Sequence, residues 1–291
     1  MRTYQTIDLH MHSTISDGTD TPEMVLASVK KAGIELFSVT DHDAIRASGE
    51  IADLLKKDDP SFIPGVEFSC RDEEGKYHIL GYGYDPEAEP IRRVVELGHG
   101  YRMEKVRGRL DYLKTHFGFS FPEKELSALL ALPNPGKPHI GNLMVKLGFA
   151  ATKEEAIGKY IDQVRFPNRY VRPEEAIRGI LESGGIPVLA HPSYGSGSQL
   201  ILGEDMDRRA RRLKEMGLRG LEGFYSGFTK KLRGEILSLA EKYDFYVTAG
   251  SDYHGSNKLV MLGDTGLTEA EEFPEGLRRF LRDVTILDPT R

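Results

Sequence analysis

The chain has 291 residues, 39% of them apolar and 29% charged, with a formal net charge of −6. These figures describe a globular protein of one large domain, or a core domain carrying an insertion, and argue against a broad electrostatic grip on nucleic acid. No run approaches the ~20 apolar residues that cross a bilayer, and Cys70, the single cysteine, excludes an intrachain disulfide and a thiolate metal site. The first residues lead into a polar motif without an apolar signal core, so the expectation is a cytoplasmic location with no membrane contact.

A first strand is expected over 4–9, running into Asp8-Leu9-His10-Met11-His12-Ser13. Side chains of an extended strand alternate between faces, so Asp8, His10 and His12 point the same way and two imidazoles can reach one metal ion. Asp17, on the loop beyond, can reach another. Thr21-Pro22-Glu23 reads as a helix start, with Thr21 as cap and Pro22 at the first helical position, and Gly33 suits the left-handed exit. A second strand over 34–40 finishes at Asp41-His42-Asp43. A helix over 45–57 leads to a third strand over 62–67, ending at Glu67, and a fourth over 77–82 carries His78. This rhythm indicates parallel α/β layers.

After residue 85 the texture changes. A long helical stretch over 91–116 mixes Arg and Lys with Glu and Asp, which reads as a solvated face rather than a polynucleotide surface. Helical patterns follow over 123–130, 139–147 and 153–161. The αβ alternation returns at Arg172-Pro173-Glu174-Glu175. Residues 86–172 are therefore expected as a helical insertion, covering the active site of an α/β domain formed by 1–85 and 173–291. In that second part a strand over 186–190 ends at His191-Pro192. Helices over 205–216 and 230–243 alternate with strands over 220–224 and 245–250. The last strand delivers Ser251-Asp252-Tyr253-His254, and a closing helix is expected over 269–282.

Metal-type side chains thus fall at strand after strand: His10, His12, His42, Glu67, His78, His191, Asp252 and His254. Residues at the C-terminal ends of parallel barrel strands project into one mouth. Imidazole with carboxylate and no sulfur suits Mn, Fe or Zn. Ions roughly 3.5–4 Å apart can share a hydroxide and clamp phosphoryl oxygens, so no side-chain nucleophile is required. Ser13 lacks an evident partner base and reads as a loop hydrogen bond. Asp8 and Asp41 read equally well as groups orienting imidazoles and as turn or cap residues.

In chain order, Asp8-x-His10-x-His12-Ser13, Thr40-Asp41-His42, Gly65-Val66-Glu67, His78, Ala190-His191-Pro192 and Ser251-Asp252-x-His254 resemble the motifs of the PHP (polymerase and histidinol phosphatase) family of metal-dependent phosphoesterases. The resemblance implies a distorted (β/α)7 barrel of the PHP type with a helical insertion domain, and two or three divalent metal ions. It implies that His10, His12, Glu67 and Asp252 hold one ion, and Asp17, His42 and His254 a second. Glu67, His78 and His191 would hold a third, which makes Glu67 a bridge. Asp17 stands where some family members carry histidine.

Gly136-Lys137-Pro138-His139-Ile140 places a cation and an imidazole at a helix start, a favourable place for an anion. It is similar to the basic-Pro-His-Ile segment in the insertion of the nucleotide-acting PHP subgroup, with Lys137 where Arg is usual. Arg169 and Arg172 are further candidates for substrate phosphate, and Tyr225-Ser226 is placed at the mouth. The resemblance implies a hydrolase in which a metal-bridging hydroxide attacks a phosphate monoester. The expected substrate is small and phosphorylated, a 3′,5′-bisphosphate nucleotide or a short RNA end. Histidinol phosphate is the alternative substrate, a non-catalytic PHP interaction module is the alternative of another class, and an amidohydrolase ranks third. No protein partner is inferable.

Overall fold

The structure, a computed structural model, describes residues 4–195, 199–268 and 272–289. Three short parallel strands come first: β1 (Ile7–Asp8), β2 (Leu36–Phe37) and β3 (Ser61–Phe62). Helix α1 (Pro22–Lys31) links the first two; the Thr21 side chain accepts from Met24 N at 3.2 Å, and Gly33 leaves the helix at φ +71°. Helix α2 (Arg46–Leu54) links β2 to β3. Val25, Val29 and Ile51 from the helices are buried with Phe37 and Phe62 from the strands.

The strand expected over 62–67 divides at Ile63-Pro64. Proline has no N–H to give to a ladder, so β3 stops at Phe62 and β4 (Gly65–Asp72) opens a second sheet. Strand β4 turns at Glu73-Glu74 into β5 (Gly75–Tyr82); Asp72 Oδ1 accepts from the amides of Glu74 and Gly75, and Gly75 takes φ +142°. The second sheet has the order β4-β5-β6 (Ile186–Leu189)-β7 (Gly220–Tyr225)-β8 (Tyr246–Gly250). Pairs β4–β5 and β5–β6 are antiparallel, and β6–β7–β8 are parallel. The fold is therefore mixed α/β, which corrects the expectation of parallel layers throughout. A two-residue turn sends the chain straight back, whereas a parallel neighbour requires a long crossover.

Helices α3 (Glu89–Phe117), α4 (Glu123–Leu130), α5 (Lys137–Lys146) and α6 (Lys153–Glu155) lie between β5 and β6. Helix α6 passes into a π-helical turn at Ala156–Tyr160 and a 3-10 turn at Ile161–Gln163, so the single helix expected over 153–161 has mixed pitch. These elements carry a core of their own, in which Val106, Leu113, Ile140, Met144 and Ile161 are fully buried. Helix α7 (Pro173–Glu182) then returns to the second sheet, burying Ile177 and Ile180 with Val66, Phe68 and Ile79. A Cβ at Gly179 would lie 2.6 Å from Val94 Cγ2, so glycine is what lets α7 approach α3. Helices α8 (Gly203–Glu215), α9 (Lys230–Lys242) and α10 (Glu275–Asp283) follow. The closing helix expected over 269–282 starts at Glu275; residues 269–271 lie outside the described residues.

Backbone hydrogen bonds join the two sheets. Leu9 N donates to Ala249 O at 2.9 Å, Asp252 N to His10 O at 2.8 Å, and Asp43 N to Glu67 O at 2.9 Å. Bridges pair Met11 with Tyr253 and His42 with Glu67, so the segments just past β1 and β8 lie side by side and the segment just past β2 lies beside β4. Among the described residues no helix is long and apolar enough to cross a membrane.

Candidate metal centre

Glu67 stands at the middle of the imidazoles that those pairings gather. Its Oε2 lies 3.4 Å from His10 Nε2, 3.2 Å from His12 Nε2 and 3.1 Å from His42 Nδ1. Its Oε1 lies 2.9 Å from His78 Nδ1 and 3.3 Å from His191 Nε2. Asp252 Oδ1 is 3.5 Å from His10 Nε2 and 3.3 Å from His12 Nε2. Asp17 Oδ1 is 3.4 Å from His254 Nε2, and Asp17 Oδ2 is 3.9 Å from His42 Nε2. The fold thus brings all nine expected metal-type residues together. Asp43, His191 and Asp252 adopt φ values of +49°, +29° and +61° here, a conformation that non-glycine residues keep where surrounding contacts impose it.

The donor set fits divalent cations. His10 Nε2, His12 Nε2, His42 Nδ1, His78 Nδ1 and Glu67 Oε1 are buried without a hydrogen-bond partner. Each such atom costs about 1–3 kcal/mol if nothing satisfies it; short approaches without hydrogen-bond direction mean that lone pairs converge on shared points. Three groups of donors close to within 4.8 Å: His12, Asp17, His42 and His254; His10, His12 and Glu67; and His42, Glu67 and His78. His12 and His42 each belong to two groups, a sharing not foreseen from strand order.

Charge is arranged to match. Burial pushes Glu67 up, but His78, His42 and His10 outweigh it and hold its carboxyl well below the usual range. Asp17 is likewise held down against burial by His42, His254 and Arg102. Burial draws His42 and His254 below the ordinary imidazole value, toward the neutral form in which an imidazole can bind a metal. His12 goes the other way, up to about 9: burial lowers it, but Asp252 and Glu67 prevail.

Neighbouring groups lock these side chains in place. Glu222 Oε1 lies 2.9 Å from His10 Nδ1, and its Oε2 accepts from His191 N at 2.7 Å. Asp8 accepts from Ser251 N, Ser251 Oγ and Gly263 N at 2.9, 2.6 and 2.8 Å. Asp41 accepts from the amides and hydroxyls of Ser13 and Ser16. Asp8 and Asp41 therefore fasten loops rather than imidazoles, and Ser13 Oγ is held by Asp41. Asp252 Oδ2 accepts from Tyr225 OH at 3.0 Å and pairs with Lys258.

Several of these groups were missed in the sequence. Glu222 could have been found as a lone carboxylate inside an apolar strand. Lys258 and Asn257, four and three residues past His254, carried no motif. Arg102, Lys105 and Arg109 on α3 are buried, which corrects the solvated-face reading for that side of the helix, while Arg92, Arg93 and Arg107 are exposed.

The centre forms part of the wall of a cavity of about 400 Å³, with Pro138 and Lys153 contributed from residues between β5 and β6. Lys137 pairs with Asp162, and His139 Nδ1 accepts from Gly136 N at 3.0 Å as part of the α5 cap. Arg172 forks onto Glu73 at 2.8 and 3.1 Å, and Arg169 pairs with Glu104, both among exposed side chains. None of these four lines the cavity.

The PHP domain matches residues 8–166 of the chain. A phosphoribosyl 1,2-cyclic phosphate 1,2-diphosphodiesterase of Eggerthella lenta is 29% identical over 275 residues, covering 85% of this chain and 94% of that protein. The 5′-3′ exoribonuclease Rnm of Salmonella typhimurium is 29% identical, covering 88% of this chain and 87% of the relative. A 3′,5′-nucleoside bisphosphate phosphatase of Chromobacterium violaceum is 26% identical and covers 96% of each chain. Among solved structures, a protein of Bifidobacterium adolescentis classed as a metal-dependent phosphoesterase superposes with a TM-score of 0.78 at 26% identity over 96% of both chains. An amidohydrolase of Chromobacterium violaceum shares the fold, with a TM-score of 0.82 at 24% identity over 98% of both chains. The ordered motifs, the donor cluster and these likenesses lead to one conclusion: this chain belongs to the PHP-domain family of metal-dependent phosphoesterases, and it is a hydrolase of phosphoric esters.

Proposed function

We propose that the protein removes phosphate from a nucleotide, a 3′,5′-bisphosphate nucleotide or a short RNA end, using two or three divalent ions at the Glu67 centre. The observation that carries this reading is the set of buried donor atoms around Glu67 that have no hydrogen-bond partner and border the cavity. His10, His12, Glu67 and Asp252 would hold one ion, Asp17, His42 and His254 a second, and Glu67, His78 and His191 a third. The shared positions of His12 and His42 support a compact cluster over isolated sites. Bound ions would polarise phosphoryl oxygens and make water acidic enough to attack near neutral pH.

The protein's own groups do the positioning. Glu222 orients His10, Tyr225 and Lys258 take the outer oxygen of Asp252, and Lys153 and Lys258 bring positive charge to the cavity for an anionic substrate. The Leu9–Ala249 and His42–Glu67 pairings support reading the two sheets as one distorted (β/α)7 barrel built from 1–85 and 173–291. The separate core around Ile140 and Met144 supports 86–172 as the inserted helical unit over the site. The nucleotide and RNA activities named for the relatives favour this substrate class over histidinol phosphate.

The test is phosphate release by protein loaded with Mn, Zn or Fe. The substrate panel contains adenosine 3′,5′-bisphosphate, ribose 5-phosphate 1,2-cyclic phosphate and histidinol phosphate. Turnover of the bisphosphate that is lost in Glu67→Gln and His191→Ala supports the proposal. Turnover confined to another member of the panel, or none with any metal, overturns it.

A further inference from the structure

Two donors on the Oε1 side of Glu67 lack the ring support that others in the centre have. Glu222 meets His10 at Nδ1, and the carbonyl of Asp252 lies 2.9 Å from His254 Nδ1. The Nδ1 atoms of His78 and His191 are buried without a hydrogen-bond partner. Their rings meet edge to face at 5.1 Å, and the His191 ring lies 5.5 Å from that of Tyr225. Where these two imidazoles point therefore depends on ring packing and on the main chain that carries them. His191 holds φ +29°, which only the contacts around its backbone can impose.

One side chain grips the main chain beside both. Arg209, on α8, is 9% exposed. Its Nη1 donates to Pro192 O at 3.3 Å and to Tyr194 O at 3.0 Å, and its Nη2 donates to Lys76 O. Pro192 follows His191 directly, and Lys76 stands two residues before His78 on β5. Tyr194 N donates to His191 O at 2.9 Å, which closes the turn that Arg209 holds. Among the described residues Arg209 makes no ion pair; it lies over the Tyr77 ring at 4.3 Å, and main-chain carbonyls take up its charge. A planar guanidinium presents several N–H groups in fixed directions and can tie separate carbonyls into one geometry, which a flexible ammonium cannot. Met206, Ala210 and Leu213 seat α8 in the main core, so this fork is offered from a rigid element.

We infer that Arg209 is a positioning residue of the metal centre: it fixes His78 and His191 through their main chain and so sets the affinity for the ion that these two would hold with Glu67. His191 is gripped on both sides, since Glu222 Oε2 accepts from its amide at 2.7 Å while Arg209 takes the carbonyl of the residue after it. The inference rests on the assignment of Glu67, His78 and His191 to one ion proposed above; the placing of the two rings does not need that ion. Arg212, three residues along the same helix, supplies the comparison. It lies over the same Tyr77 ring at 5.5 Å and pairs with Asp72 at 2.6 Å. Among the described residues its bonds go to the side chains of Asp72 and Tyr77, and none to the main chain beside either histidine.

The test uses the full-length chain as wild type, Arg209→Met, Arg209→Lys and Arg212→Met. One arm loads each with Mn and counts the ions retained per chain against graded chelator. The other records the imidazole nitrogen resonances of the metal-free proteins by NMR, with His78 and His191 assigned from their glutamine variants. The expected result is that one ion per chain leaves Arg209→Met at a chelator strength about 10–100-fold lower than in the wild type, while the rest leave as before. The His78 and His191 resonances should move in that variant, those of His10 and His254 should stay, and Arg212→Met should match the wild type in both arms. Unchanged release with unchanged resonances in Arg209→Met, or the same changes in Arg212→Met, overturn the inference. If Arg209→Met does not fold, Arg209→Lys, which keeps the charge and loses the fork, decides the matter by the same readouts. If the wild type holds no ion that the His78→Gln and His191→Gln variants lose, the ion assignment falls, and the resonances still judge Arg209: movement in its variants alone upholds the positioning role, and none overturns it.

Discussion

Glu222 holds His10 from behind, with Oε1 2.9 Å from His10 Nδ1 and both side chains fully buried. A charged carboxylate can only accept, so the imidazole keeps a proton on Nδ1 and turns Nε2 toward Glu67 and Asp252. The second oxygen of Glu222 takes the amide of His191, so one carboxylate aligns donor residues that follow strands of both sheets. Glu222→Gln is expected to weaken metal retention about 10–100-fold. Metal remaining after dialysis against graded chelator measures this; unchanged retention would show that packing alone sets the His10 ring.

Metal affinity should rise with pH. Against the pull of burial, Asp252 and Glu67 lift His12 to about 9, so without metal it carries a proton that a divalent ion must displace. Apparent affinity for Mn then climbs by up to about tenfold per pH unit per proton released, until His12 titrates near 9. Calorimetry at pH 6.5, 7.5 and 8.5 in buffers of different ionisation enthalpy gives both the trend and the proton count. A flat affinity would contradict the protonated state of the metal-free site.

Lys105 makes the opposite kind of contribution. Burial lowers it from 10.5 to about 7, so between those values the unfolded chain binds more protons than the folded one, and stability rises with pH. Its cost is fully present below about 7 and absent above about 10.5. Lys105→Met should therefore be more stable than the wild type at pH 6.5, by on the order of 2–4 kcal/mol, with the gap closing toward pH 10. Urea unfolding in buffers free of phosphate and sulfate measures it.

Ile140→Ala should cost about 2–4 kcal/mol, because Ile140 is fully buried in the core formed by α3, α4 and α5. Hydrogen exchange should rise first in those helices, while the amides of β4–β8 stay protected. A uniform rise across both parts would mean that the helical unit and the sheets unfold as one.

Local chemistry made some elements readable directly. The Thr21-Pro22 start and Gly33 exit of α1 depend on the residues themselves, and the structure reproduces them. The break at Pro64 is equally local, but apolar residues on both sides of it carry the strand pattern across 62–67. The missing proline N–H ends β3, and the residues beyond it pair with a different strand. The antiparallel turn of β5 was hidden for another reason: strands of either direction share one apolar alternation, and only the Asp72–Gly75 turn distinguishes them.

The sequence by itself determined which side chains could form the centre, because imidazole and carboxylate side chains recur at the strand ends in the order of a known family. It also determined that sulfur plays no part. Tertiary structure alone decided how the donors are shared, since His12 and His42 each reach two groups only after strands distant in sequence lie side by side. It also decided which cations face inward: Lys105 and Arg107 differ little as residues, but packing of α3 buries one and leaves the other in water. Residue type sets what a side chain can bind, and packing sets what it meets and how much water remains to compete.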